Sequence, residues 1–168
     1  HLVPRAWREA LFFRWSADGF RTEHEQWQMM RSQTELWTAL GLALARHTQP
    51  GESLIHGTIG AVGYHSRLRI LDPFGLVNRE EFRAGEDEPV RRSPGHHRRV
   101  PLETFMTHAP EYLDAEFVPR NAPDAGWPRW LRPEAEFGPH AQASWLEVDG
   151  LPGVPPGHVL RLIRNARP

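Results

Sequence analysis

One cluster of side chains in this sequence could bind a metal or do proton chemistry: His56, His65, His96, His97 and Asp72. Neutral imidazole is a natural zinc ligand, and a carboxylate can complete such a site. Their spacing argues against it. There is no HExxH or H-x-H pattern, and the adjacent His96 and His97 point to different sides of most backbones. No metal and no cofactor are expected. The run Pro94-Gly95-His96-His97-Arg98-Arg99 suits an anion better, because two guanidinium groups beside two imidazoles match a phosphate or a uronic acid. A solvated loop is the competing reading.

Other constellations are weaker. Ser66 and Ser93 lack the G-x-S-x-G elbow and the chain has no cysteine, so a nucleophilic hydrolase is poorly supported. Gly57, Gly60 and Gly63 form G-x-x-G-x-x-G rather than the dinucleotide fingerprint. Asp72, Glu80, Glu81, Asp114 and Glu116 are an inventory of carboxylates, which glycoside hydrolysis would need as a positioned pair. Trp127 and Trp130 stand in a Pro/Gly-rich stretch where their ring faces could stack on sugars, although burial is the commoner fate of tryptophan.

The elements that must position these groups centre on residues 51–75 (GESLIHGTIGAVGYHSRLRILDPFG), read as strand, short helix, strand. SLIH is a brief apolar run, the three glycines suit a tight bend into a one- or two-turn helix, and LRIL stops at Asp72-Pro73. Asp72 then stands at the carboxyl end of a strand, where ligands gather in open α/β sheets. Before this, residues 22–47 read as a long helix. Thr22 and Glu25 have capping-box spacing, Trp27, Met30, Trp37, Leu40 and Leu44 recur at helical intervals, and Gln49-Pro50-Gly51 ends it. Residues 6–20 place Trp7, Leu11, Phe12 and Trp15 on one helical face, which suits either core packing or a membrane interface.

Further on, residues 79–83 read as a short helix and 84–99 as a polar loop in which Glu86, Asp87 and Glu88 face Arg91 and Arg92. Residues 101–108 read as another short helix and 110–118 as a strand. Residues 119–140 read as a long surface excursion. AQASWLEV and HVLRLIR make a closing antiparallel pair, the latter with an apolar pattern for burial on both faces. The expected fold is α/β, a small mixed sheet with one long helix and several short helices packed on it.

At 168 residues the chain is long enough for one domain that buries roughly two-thirds of its unfolded surface. A net charge of -1 predicts no attraction to nucleic acid. All 20 basic residues are arginine, which reads as compositional bias. Residues 1–20 are expected to be a juxtamembrane-like or tag-derived segment, since His1-Leu2-Val3-Pro4-Arg5 resembles a protease-site remnant, and residues 21–168 a single domain. The start at His1 fits a piece of a longer protein.

Several stretches together resemble a known family: Glu35-Leu36 within the helix, Gln49-Pro50-Gly51-Glu52, Gly60-Ala61-Val62-Gly63-Tyr64-His65-Ser66, Leu71-Asp72-Pro73-Phe74-Gly75-Leu76, Ser93-Pro94-Gly95-His96 and the run from Pro110 to Leu113. They are similar to the C-terminal extracytoplasmic domain of bacterial GT-C type membrane glycosyltransferases, the arabinofuranosyl- and mannosyltransferase-like enzymes that use polyprenyl-phosphate sugars. The likeness covers about half the chain. It departs at His65, where a second aromatic is usual, at Arg67, where glycine usually follows the serine, and at His97-Arg98.

The resemblance implies a domain outside the cytoplasmic membrane, tethered through a transmembrane part that lies outside this sequence and carries the catalytic carboxylate. The implied role is holding a glycan or polyprenyl-linked acceptor, or covering the membrane active site, rather than catalysis. The candidate ligand-binding residues are Tyr64, His65, Asp72, His96, His97, Arg98, Trp127 and Trp130, with none catalytic. Two other readings remain open: a self-contained hydrolase using Asp72 and the histidines with a metal or a carboxylate pair, and a structural interaction module.

Overall fold

The structure, a computed structural model, describes residues 15–16, 19–20, 23–77, 83, 86–87, 98–124, 126–128, 131 and 138–166. The chain forms two compact units, His1–Glu35 and Leu36–Pro168. In the first, β1 (Trp15–Ser16) pairs antiparallel with β2 (Gly19–Phe20), Trp15 opposite Phe20. This corrects the helical reading of that stretch at its C-terminal end. Aromatic residues favour paired strands, and Trp15 and Phe20 hold partnered register positions here.

Helix α1 (Glu23–His47) starts with Glu23 and Glu25 and ends with Arg46 and His47, each sign complementing the nearby helix terminus. Thr48 closes it, its backbone N–H and hydroxyl both donating to the Leu44 carbonyl at 2.9 and 2.8 Å. Gly51 then reverses the chain at φ +90°, a conformation that favours glycine. Within the second unit the buried face of α1 is Ala39, Leu40, Gly41, Ala43 and Leu44.

The sheet has five strands, in the order β4 (Arg69–Leu71), β3 (Ser53–Ile55), β7 (Tyr112–Pro119), β9 (His158–Asn165) and β8 (Ala141–Leu146). Strand β3 runs parallel to both β4 and β7. Strand β9 lies antiparallel between β7 and β8. The sheet is therefore mixed, as expected. Helix α2 (Ala61–Ser66) connects β3 to β4 and ends at Arg67, which adopts the left-handed conformation at φ 60°. α2 lies tightly on α1. A Cβ added at Gly41 would stand 2.8 Å from His65 Cβ and 3.0 Å from the carbonyls of Ala61 and Val62.

Each face of the sheet carries a buried cluster. On one, Leu40, Ala43 and Leu44 of α1 and Val62 of α2 meet Leu54, Ala115, Leu160 and Leu162. On the other, Ile55, Leu71, Leu113 and Ile163 meet Val100, Leu131 and Phe105 of α3 (Leu102–Met106). Residues 159–163 of β9 are all buried, so both of its faces contribute to the core.

Two readings need correction. Trp127 and Leu131 were expected on a surface excursion, yet Leu131 is fully buried and Trp127 packs against the second cluster. The polar segment contains a strand pair, β5 (Glu86–Asp87) with β6 (Arg98–Arg99), in place of a plain loop. The helix expected at residues 79–83 lies outside the described residues apart from Arg83.

Candidate functional site

Asp72 follows β4 directly, at the strand end the sequence suggested, but its carboxylate is turned inward. It is 0% exposed; Oδ1 accepts from Phe74 N at 2.9 Å and Oδ2 from Leu76 N at 2.7 Å. Asp is the residue that satisfies its own turn in this way. The carboxylate organises the loop after β4. His56, at the end of β3, is similarly consumed: its backbone N–H donates to Leu71 O at 3.1 Å and its Nδ1 accepts from Thr58 N at 3.0 Å. Burial holds its pKa below the ordinary histidine value.

Tyr64 and His65 sit side by side on α2, their rings edge-on at 5.0 Å, with Tyr64 81% exposed. Trp127 belongs to the opposite face of the sheet from α2, so the structure does not bring it together with Tyr64. Trp127 Nε1 donates to Leu131 O, and its ring lies 5.4 Å from the Arg161 guanidinium carbon. His96, His97 and Trp130 lie outside the described residues, as does the side chain of Arg98. Among the described residues, no three His, Asp or Glu side chains group as metal ligands would.

A groove of about 280 Å³ opens elsewhere, lined by His47, Tyr112, Gln142, Ser144, Leu146, Leu162 and Arg164. The strand period of two builds it. Gln142, Ser144 and Leu146 share one face of β8, while Leu162 and Arg164 share the same face of β9. The register sets Gln142 opposite Arg164 and Ser144 opposite Leu162. The C-terminus of α1 supplies His47, fixed by a 3.2 Å hydrogen bond between its Nε2 and Glu147 O. Leu146 and Leu162 are the apolar members of this lining.

The polar end of the groove is a connected network. Arg164 donates to the Tyr112 hydroxyl at 3.3 Å, and that hydroxyl donates to Glu52 Oε2 at 3.0 Å. Glu52 Oε2 also accepts from Gln49 N at 2.6 Å. The Arg164 guanidinium carbon is 5.5 Å from the Tyr112 ring centroid. Burial raises the Tyr112 pKa above its ordinary value, so the phenol keeps its proton. Alongside, Glu111 Oε2 accepts from Ser53 N at 2.7 Å and from Ser53 Oγ at 2.5 Å. These bonds lower its pKa. The network lies toward the amino ends of β3 and β7, opposite to the end that Asp72 occupies.

Sequence reasoning did not select these groove residues. The available signal was alternation: Gln142 and Ser144 break the apolar pattern of AQASWL at every second position, which marks one face as polar. Guanidinium, amide, hydroxyl and imidazole over aliphatic side chains can bind a ligand rich in hydroxyl or carboxylate oxygens by hydrogen bonds.

The chain matches none of the curated proteins or solved structures compared with it. A family profile described as a domain of unknown function, DUF8728, matches residues 20–150. That match takes in α1, the whole β3–α2–β4 unit, β7 and β8, and the chain belongs to this family.

Proposed function

We propose that this chain is a glycan- or acceptor-binding domain whose ligand lies in the groove between the end of α1 and strands β8 and β9. The observation that carries the reading is the convergence of Arg164, Gln142, Ser144, His47 and the Tyr112 hydroxyl over Leu146 and Leu162. Planar amide and guanidinium groups match paired sugar hydroxyls, and the aliphatic side chains match the C–H face of a pyranose. The resemblance of residues 60–66 and 71–76 to membrane glycosyltransferases supports a further step. In that step the domain stands on the outer side of the cytoplasmic membrane as part of a glycosyltransferase-like protein, presenting an acceptor rather than performing transfer.

Calorimetric titration with neutral and acidic oligosaccharides tests the reading. Arg164→Ala and Gln142→Ala should each weaken binding by about tenfold or more, the effect of removing a hydrogen-bonding partner from a ligand site. Tyr64→Ala, on the exposed side of α2, should leave it unchanged. Absence of any saccharide binding, or loss through Tyr64 with the groove variants unaffected, would overturn the assignment.

A further inference from the structure

Strand β8 is the outermost strand of the five-stranded sheet, paired on one side with β9. Its hydrogen-bonding direction can be read from its first contact: Ala166 N donates to His140 O at 2.7 Å, continuing the β8–β9 register by one pair. Bonded pairs alternate in an antiparallel ladder. Gln142, Ser144 and Leu146 therefore bond to β9, while the N–H and C=O groups of Ala141, Ala143 and Trp145 point away from the sheet. Among the described residues, no strand pairs with that outer edge.

Natural sheets protect such edges with charge, proline, bulges or short length. The opposite edge follows the rule: β4 has three residues and carries the exposed Arg69. β8 does not. Its six residues, AQASWL, include no charged side chain and no proline, and its register with β9 is unbroken. Trp145 is 46% exposed on it.

We infer that β8 pairs with β8 of a second copy of this chain, antiparallel across a twofold axis at Ala143, joining two five-stranded sheets into one of ten strands. The sequence of the strand fits its own reverse. Ala143 meets Ala143 of the second copy at the axis, and Ala141 meets Trp145 of the second copy, a small side chain beside a large one. On the other face, Gln142 meets Ser144 of the second copy, an amide beside a hydroxyl. In a strand that faces itself a charge on the axis would meet its own copy, which destabilises; this strand carries no charge. The outward-pointing groups are on the odd-numbered residues in both copies, so this register satisfies the edge N–H and C=O groups of all three. The twofold axis is perpendicular to the sheet, so the two grooves, each lined by Gln142 and Ser144, open on the same side.

Sedimentation equilibrium from micromolar to near-millimolar concentration tests the inference. The wild-type chain should pass from monomer to dimer. Ala143→Pro removes an N–H that points away from β9, the position where an edge strand tolerates proline. It should weaken dimerisation by about 100-fold or more while the melting of the dilute monomer stays close to wild type. Should that variant fail to fold, hydrogen exchange on the wild type decides: the Ala143 and Trp145 amides should become protected as concentration rises, while the Gln142 and Ser144 amides are protected throughout. A chain that stays monomeric, a dimer unaffected by Ala143→Pro, or Ala143 and Trp145 amides that exchange rapidly in a sedimenting dimer would each overturn the pairing.

Discussion

Arg161 lies over the ring of Trp127, its guanidinium carbon 5.4 Å from the ring centroid, on the face of the sheet opposite α1. The guanidinium is fully buried and donates from one nitrogen to Glu116 at 3.0 Å and Gly126 O at 3.3 Å, and more distantly to Asp114 at 3.5 Å. A buried cation needs such partners, because removing it from water costs several kcal/mol. The partners come from β7, one strand away, and from the segment at residues 126–127. This bond set fastens that segment to the sheet.

Truncating either member should loosen the segment. Arg161→Ala is expected to destabilise by about 3–5 kcal/mol, since it leaves Asp114 without its cation. Trp127→Ala should cost about 2–4 kcal/mol through lost burial. The double variant should fall short of the sum by about 1 kcal/mol, the size of a desolvated cation–π contact. Urea denaturation of the three proteins measures the coupling; strict additivity would show that ring and guanidinium are merely neighbours.

Asp114 carries a pH signature. Burial raises its pKa from 3.8 to about 6, against the pull of Arg161. The folded state thus keeps this proton to higher pH than the unfolded chain does. The contribution is fully present below pH 3.8 and is lost as pH rises through about 6, a change of about 3 kcal/mol. Asp114→Asn should remove this component. Comparing melting temperatures of the two proteins between pH 4 and 7 should show the Asn variant gaining relative stability as pH increases.

His56 should act in the opposite direction. Its pKa is lowered from 6.5 by burial, so below pH 6.5 the unfolded chain takes up a proton before the folded one does. Stability declines as pH falls from that value through the folded pKa. His56→Gln keeps a polar side chain that does not titrate. Its stability relative to wild type should rise on acidification below pH 6.5, which the same melting series would detect.

Gly41 separates two competing effects. Alanine favours a helix interior over glycine by about 1 kcal/mol. Here, however, a Cβ would enter the contact with α2, 2.8 Å from His65 Cβ and 3.0 Å from two backbone carbonyls. Overpacking of that kind costs about 1–3 kcal/mol. Gly41→Ala should therefore be net destabilising in chemical denaturation. By contrast, Arg67→Gly, at the exposed left-handed position ending α2, should stabilise by about 0.5–1 kcal/mol.

The order of the main elements was legible in the chain. Trp37, Leu40 and Leu44 at helical spacing, the stop at Gln49-Pro50-Gly51, the glycines before Ala61, and the paired runs AQASWLEV and HVLRLIR all signal structure through local physics: side-chain periodicity and turn chemistry. Burial on both faces of β9 was legible for the same reason.

What only the tertiary structure decided concerns groups that meet across large sequence separations. Asp72 stands at a strand end as its sequence position suggested, but the loop it precedes turned both oxygens to its own backbone. Trp127 lies in a stretch rich in turn residues, yet it found a buried cation 34 positions away. The groove exists because the sheet order puts β9 between β7 and β8, which aligns Tyr112, Arg164 and Gln142 on one face and brings His47 to their edge. Side-chain periodicity says which residues share a face of one strand. Only strand order and register say which strands that face is shared with.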